Sequence, residues 1–207
     1  MRGLILILSF VLFMILFNTG CFVTLQTGKI KPGPAFTVGY LTLPMENHKS
    51  SVILRPSIGL SAKKNRFGVE VAFPFYFEYE DWGNQKWCEL WCISDEIKVQ
   101  FPLNKWADVS VGADLLLYVP MSKFIIISKE LNDVVSLYGE VRYITSPRLV
   151  ESWKEVKKYT IGLQLDSFFS KYLSLLTELN WWNSPNPDYP FRKENSVNFA
   201  LGIILHK

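Results

Sequence analysis

The sequence is poor in the residues from which proteins build metal sites and nucleophilic active sites. It contains 2 histidines and 3 cysteines among 207 residues, and no third or fourth ligand lies near the only close cysteine pair, Cys88 and Cys92, to complete a zinc site. The net charge is +3, and basic residues are mixed with acidic ones along the chain rather than gathered into a stripe. Nucleic acid is therefore excluded as a partner, and neither a metal nor any other cofactor is expected.

The chain also lacks long apolar runs beyond Phe17, although 49% of its residues are hydrophobic and 15% are aromatic. A bilayer admits only helices and closed β-barrels, and here the apolar residues recur at every second position. The stretch Arg66–Glu80, RFGVEVAFPFYFEYE, is the clearest case, since its odd positions are large and apolar while its even positions carry every charge. Side chains alternate faces only in a strand, so this pattern predicts a strand between two different environments.

The N-terminus has the features of a secretory signal peptide over residues 1–20. Met1-Arg2 supplies positive charge, and Leu4–Phe17 is an apolar run shorter than the roughly 20 residues that cross a membrane. Thr19-Gly20-Cys21 resembles the end of a bacterial lipobox, which implies that Cys21 is acylated after cleavage. The alternative is an ordinary cleaved signal in which Cys21 is incidental. Residues 21–34 are then expected to form a polar, periplasmic lead-in.

Residues 35–207 are predicted to form one all-β domain, an antiparallel up-and-down barrel of about ten strands. The predicted strands are Ala35–Leu43, Ser51–Ala62, Arg66–Glu80, Asp95–Leu103, Trp106–Val119, Lys123–Ser128, Val134–Ile144, Lys158–Phe168, Lys171–Trp182 and Ser196–His206. Lys123–Ser128 lacks clean alternation, so eight strands is the alternative count. Pro56, Pro74 and Pro102 predict bulges or bends, because proline removes a donor from the ladder.

The connections favour a transmembrane barrel. They alternate between short turns such as Asn104-Lys105 and long loops such as Asp81–Ser94, and an even strand number with this alternation is typical of outer-membrane barrels. Most tryptophans lie near the long loops, as in an aromatic girdle. The charged face also holds Gly, Ser and Ala, which suits a crowded interior. A soluble lipocalin-like barrel with reversed faces, binding an apolar ligand inside, is the alternative.

The chain resembles small outer-membrane barrel proteins of bacteria, some of them lipoproteins. The residues that carry this resemblance are Thr19-Gly20-Cys21, Leu25–Thr27 and the strand Leu137–Tyr143. The resemblance implies an outer-membrane location with the N-terminus in the periplasm and the long loops outside. One departure is the end of the chain, Leu205-His206-Lys207, where such proteins usually carry an aromatic residue.

Ionisable residues on the less apolar face are expected to line the lumen. They are Arg55, Arg66, Glu70, Lys98, Asp114, Glu140, Arg142, Asp166 and Glu178. Because both signs are present, they predict a paired network, which either fills the barrel or leaves a narrow pore. Cys88 and Cys92 in the Asp81–Ser94 loop are predicted to form a local disulfide, with two independent thiols as the alternative.

The predicted function is a non-enzymatic outer-membrane barrel with a structural or surface-exposed role, or a narrow pore. Its predicted partners are outer-membrane lipid and small solutes. The enzymatic alternative places His48, Ser94 and Asp95 together at the outer rim, which loosely resembles the arrangement in outer-membrane lipid A acyltransferases.

Overall fold

The structure is a computed structural model that describes residues 25–42, 50–62, 66–82, 85–93, 95–116, 119–145, 154–183 and 195–206. Regular structure in these ranges consists of twelve strands: β1 Gly33–Thr42, β2 Ser50–Ala62, β3 Phe67–Ala72, β4 Phe75–Trp82, β5 Gln85–Ile93, β6 Asp95–Pro102, β7 Asp108–Leu116, β8 Val119–Glu130, β9 Val135–Thr145, β10 Lys154–Ser170, β11 Leu173–Asn183 and β12 Asn195–His206. In the part of the chain that the structure describes, no helix is long and apolar enough to cross a membrane.

The strands close into an antiparallel barrel with ten positions in its wall. β1 pairs with β2 on one side and with β12 on the other, so the sheet has no free edge there. β3 and β4 follow one another along the same edge of β2, and their partners β6 and β5 likewise follow one another. These four strands therefore fill two wall positions, and the predicted ten-stranded barrel is confirmed.

The break between β3 and β4 falls at Phe73-Pro74. Pro74 has no backbone N–H to donate to a ladder, and the amide of Phe73 donates instead to the carbonyl of Pro56 on β2 at 2.9 Å. The predicted strand Arg66–Glu80 is thus one wall position bent at its proline, as the sequence indicated.

Two predicted connections are strands instead. The expected loop Asp81–Ser94 is occupied by the end of β4 and by β5, which pair with each other, and β8 begins at Val119 rather than Lys123. Both hairpins contain a register shift, one between Phe75 and Tyr76 and the other between Asp114 and Leu115. A bulge adds one residue to a strand and so changes which residues face inward. The alternation of apolar and polar side chains is therefore out of step on the two sides of the bulge.

We call the end of the barrel with the tight described connections 103–107, 131–134 and 171–172 the turn end, and the opposite end the far end. Two of these turns are built in the same way. The side chain of Asn104 accepts from the amides of Trp106 and Ala107 at 2.7 and 2.9 Å, and Asn132 accepts from those of Val134 and Val135 at 2.9 and 2.7 Å. Asparagine is suited to such tight reversals because its side chain bonds to nearby backbone.

The outer wall is apolar around the described barrel. Large exposed side chains include Ile58, Leu60, Ile125, Ile127, Val141, Ile161, Leu179, Phe199 and Leu201. Aromatic side chains lie outward near the far end at Tyr40, Tyr143, Tyr159 and Trp181, and near the turn end at Trp106 and Tyr172. Trp182 differs from the predicted girdle because it is 1% exposed and faces the interior. Such an outside is the reverse of a water-facing sheet.

Candidate functional site: the barrel interior

The interior holds a dense set of ionisable side chains. Seven of the nine residues predicted to line the lumen are buried, namely Arg55, Glu70, Lys98, Asp114, Glu140, Arg142 and Glu178. The other two, Arg66 and Asp166, are partly exposed at the turn end. Arg66 pairs with Asp108 at 2.8 Å, and Asp166 pairs with Lys31 at 2.5 Å.

The buried charges form one connected chain across the barrel. Arg55 donates to Glu70 and to Glu96, the second at 2.6 Å. Glu96 also lies 3.9 Å from Arg142, which donates to Glu140 at 2.6 Å. Alternation of sign along this chain lets each charge face a partner, as burial in a low-dielectric interior requires.

Further members extend the chain at both ends. Lys98 lies 3.6 Å from Glu70, Asp114 accepts from Arg142, and Lys158 lies 3.9 Å from Glu140. The network therefore holds four cations and, with Glu178, five anions, and the described residues Lys29 and Asp108 are buried as well. So balanced a set favours neither anions nor cations as a permeant solute.

Sequence reasoning missed three members of this set. Glu96 and Lys158 are buried in the network, and the hydroxyl of Tyr138 donates to Glu178 at 2.7 Å. The signal was present in the sequence, because Glu96 is two positions from Lys98 and Lys158 is two positions from Thr160, so each pair shares a face of its strand.

The charged interior excludes the soluble alternative. A barrel that binds an apolar ligand needs an apolar cavity and a polar exterior, whereas Arg55, Lys98 and Arg142 are fully buried here and the large aliphatic residues face outward. The described side chains thus have the arrangement of a membrane barrel.

The interior also contains a segment of the chain itself. We call residues 25–32 the plug segment. Residues 25–30 are buried within the barrel, with Leu25, Gln26 and Ile30 at most 1% exposed, and the segment reaches the surface at Pro32. A polar, periplasmic lead-in is predicted for residues 21–34, whereas the structure buries residues 25–30 and begins β1 at Gly33. Residues 21–24 lie outside the described part, and the periplasmic location stays a prediction. The plug segment is buried because the wall supplies both polar partners and space for it.

The polar partners are side chains that bind the plug segment's backbone. The amides of Gln26, Gly28 and Ile30 donate to Glu178, Gln164 and Gln100 at 3.0, 3.1 and 2.7 Å. Every second amide is thus bound by a different part of the wall. These bonds satisfy groups that would be costly to bury unpaired.

Glycines provide the space. A Cβ on Gly39 would overlap the Leu25 side chain, and one on its partner across the ladder, Gly202, would lie 2.9 Å from the same atom. On the other side, a Cβ on Gly68 would lie 3.0 Å from Ile30 Cγ2, and one on Gly59 would lie 3.1 Å from it. The apolar side chains of the plug segment therefore occupy places that only glycine leaves open.

Two ion pairs hold the plug segment at the turn end. Lys29 pairs with Glu130, and Lys31 pairs with Asp166. Glu130 is half exposed, so its pair adds little stability. The buried hydrogen bonds deeper in the barrel matter more, because water does not compete for them.

The predicted cysteine pair lies on β5, and the side chains are outside the described set. Four residues of extended strand separate two Cα atoms by about 13 Å, whereas a disulfide requires less than about 7 Å. The predicted Cys88–Cys92 disulfide does not fit this strand, because the segment is extended rather than looped. Cys21 lies outside the described residues, and its acylation stays a prediction.

The proposed catalytic trio is not assembled by the described residues. His48 and Ser94 lie outside them, and Asp95 is the first residue of β6, with the whole of β5 between it and the far end. The sequence predicts Asp95 at the rim because it predicts a loop over Asp81–Ser94. No group of three or more His, Cys, Asp or Glu that could hold a metal occurs among the described residues.

One serine–histidine contact occurs at the turn end. Ser174 Oγ lies 2.9 Å from His206 Nε2 and donates to Asp166 at 2.7 Å. Because the hydroxyl has one proton and gives it to Asp166, His206 acts as the donor to Ser174. A catalytic base would have to accept that proton, which in this arrangement is directed to Asp166 instead.

Comparisons with known proteins give only distant likenesses. Neither protein-family models nor curated protein sequences match the chain. Among solved structures, the KdgM porin has a TM-score of 0.48 at 8% identity over 84% of this chain and 99% of that one. The NanC porin has a TM-score of 0.45 at 8% identity over 84% and 100%, and the outer membrane enzyme PagL has 0.32 at 9% over 84% and 99%. Values this low establish neither a family nor an activity.

Proposed function

We propose that this protein is an outer-membrane β-barrel whose lumen is closed at rest by its own plug segment. The observation that carries the proposal is the inverted distribution of side chains. Isoleucines such as Ile125 and Ile161 are 52% and 70% exposed on the outside, while Arg55 and Arg142 are 0% exposed within. Only a hydrocarbon surrounding makes both placements favourable.

The orientation follows from the connections and remains part of the proposal. Outer-membrane barrels have short turns on the periplasmic side and longer connections outside, so the turn end would face the periplasm. Trp106 and Tyr172 would then lie at the inner interface, and Tyr40, Tyr143 and Trp181 near the outer one, since aromatic rings favour the headgroup level.

The test is gel migration of the detergent-purified protein with and without heating, together with membrane fractionation. We expect the unheated barrel to run compactly and to fractionate with the outer membrane. A matched variant, Ile161→Lys, places a charge on the lipid face, and we expect poorer insertion because such a charge costs roughly 2–4 kcal/mol near the midplane. Recovery of wild-type protein in the aqueous fraction would overturn the proposal.

A second candidate function, a gated pore for small solutes, has an observation of its own. The described residues before Gly33 belong to no strand, and their backbone amides bind wall side chains rather than a ladder. The plug segment could therefore leave the lumen while the closed sheet stays intact. The protein would then be silent in its resting state and conduct when the segment is displaced.

A disulfide lock tests the gate. A Cβ on Gly28 would lie 3.3 Å from the Cβ of Tyr138, near the separation found in disulfides. In a background with the native cysteines replaced by serine, we expect Gly28→Cys with Tyr138→Cys to be silent in planar bilayers when oxidised and to conduct when reduced at elevated voltage. Each single variant is the control. Conductance that is the same in oxidised and reduced protein would reject the gate.

A further inference from the structure

A groove runs along the outer wall on β6 to β9. It has a volume of about 670 Å³, and its lining is almost wholly apolar, including Ile97, Val111, Ala113, Ile125 and Val141. It forms at Ala113, whose short side chain stands between Ile97 on β6 and Lys123 on β8 in the same row of the sheet. The groove is thus a dip in an otherwise bulky wall.

A row of cations borders the groove. Lys123 on β8 and Lys157 on β10 are both directly opposite Tyr143 on β9, and all three side chains point outward. Adjacent strands lie about 4.8 Å apart, so the two lysine Cα atoms are separated by about 10 Å. Side chains of this length can bring both ammonium groups to one anion, with the tyrosine hydroxyl between them.

This charge placement is unusual for the described outer wall. The next two outward-facing residues on β8 after Lys123 are Ile125 and Ile127. The ammonium of Lys123 therefore borders the apolar belt. Among the side chains that the structure describes on β6 to β10, the outward acid is Asp95, which lies on β6, two strands away from β8. Cations at the edge of an apolar belt attract anionic groups of the surrounding lipid.

We propose that this face binds one phosphorylated acyl-glucosamine lipid of the outer leaflet, of the lipid A class. Its phosphate would be bound by Lys123, Tyr143 and Lys157, and an acyl chain would lie in the groove over Ala113. The inference rests on the proposed membrane location and orientation, which place this row toward the outer interface. Basic residues at the headgroup level attract anionic lipid, and the groove adds apolar contact that a free phosphate could not use.

The experiment is native mass spectrometry of the detergent-purified full chain titrated with lipid A. We expect Lys123→Gln with Lys157→Gln to bind about 30-fold more weakly, from about fivefold for each lysine. The matched control is Lys129→Gln with Lys171→Gln, which removes two exposed lysines at the turn end and should leave binding unchanged. Equal loss in both double variants, or no loss in either, would overturn the site.

Two further measurements make the result specific. Ala113→Phe fills the groove without changing charge and should also weaken lipid A binding, whereas Val197→Phe on the distant β12 should not. Phosphatidylglycerol should bind more weakly than lipid A to the wild-type protein, and equal binding would reject the glycolipid as the occupant. Heat-modifiable migration of each variant separates loss of this site from failure of the barrel itself.

Discussion

The ammonium of Lys98 donates to the backbone carbonyl of Thr27 at 3.0 Å and to its hydroxyl at 2.6 Å. This contact connects the plug segment with the charge network, because Lys98 also lies 3.6 Å from Glu70. The residue thus stabilises two things at once: the position of a buried backbone segment and the balance of a buried charge. Its removal should affect both.

Lys98→Met is expected to lower the free energy of unfolding by about 3–5 kcal/mol, the usual cost of breaking a buried ionic contact by removing one partner. The measurement is the urea midpoint of the compact gel form. Lys105→Met is the control, since that lysine lies on an exposed turn over the Trp106 ring at 5.0 Å. If the two variants unfold at the same urea concentration, the contact with Thr27 is unimportant for stability.

Gly39→Val is expected to expel Leu25 from its place between Gly39 and Gly202 while leaving the barrel folded. Valine suits a strand, and the severe overlap is with the Leu25 side chain, whereas the nearest wall atom, the Leu201 carbonyl oxygen, would lie 3.3 Å from the new Cβ. The measurement is the labelling rate of Thr27→Cys by a polar maleimide in a background without native cysteines. We expect faster labelling in Gly39→Val than in the parent.

The control for this experiment is Gly139→Val. A Cβ there would meet nothing closer than the Thr160 carbonyl at 3.8 Å, and the side chain would point outward. Labelling at the parent rate in both variants would show that Leu25 does not depend on the glycine pair for its place.

Most strands of the barrel could be predicted from the sequence, because the alternation of apolar and polar side chains is a local pattern. The two-residue period of β2, β6 and β12 can be read within ten residues, and so can the inward direction of Arg55 and Lys98. The period fails where the sheet has a bulge, as at Asp114–Leu115. The strands β5 and the first part of β8 were missed for that reason, and Asp95 was consequently placed at the rim.

The plug segment could not be predicted in the same way. The amide of Gln26 pairs with Glu178, 152 residues further along the chain, and no local pattern encodes such a contact. Inward glycines such as Gly39 and Gly68 indicated that the interior needs space. They did not indicate that residues 25–32 of the same chain fill it. The inward direction of Glu96, by contrast, could be predicted from the sequence, because Glu96 is two positions from Lys98 and shares its face of the strand.

Gly162→Ala is expected to destabilise the barrel by roughly 1–3 kcal/mol, as overpacking usually does. Gly162 faces Tyr138 across the ladder between β10 and β9, and a new Cβ would overlap the tyrosine ring. Tyr138 would then move away from Glu178. Gly139→Ala is the matched control on the outward face, and the urea midpoint of each variant is the measurement. Equal midpoints would mean that the ring adjusts without cost.

Cys88 and Cys92 are expected to be two separate thiols in the folded protein. The backbone of β5 is extended between them, with Cys88 opposite Tyr79 on β4, and a local disulfide would require that strand to fold back on itself. N-ethylmaleimide added under denaturing conditions without reductant should therefore modify both cysteines in the tryptic peptide 87–98, which contains the pair. A peptide that is modified only after reduction and is two mass units lighter before it would show an internal disulfide. The strand β5 would then have to give way to the loop that the sequence first suggested.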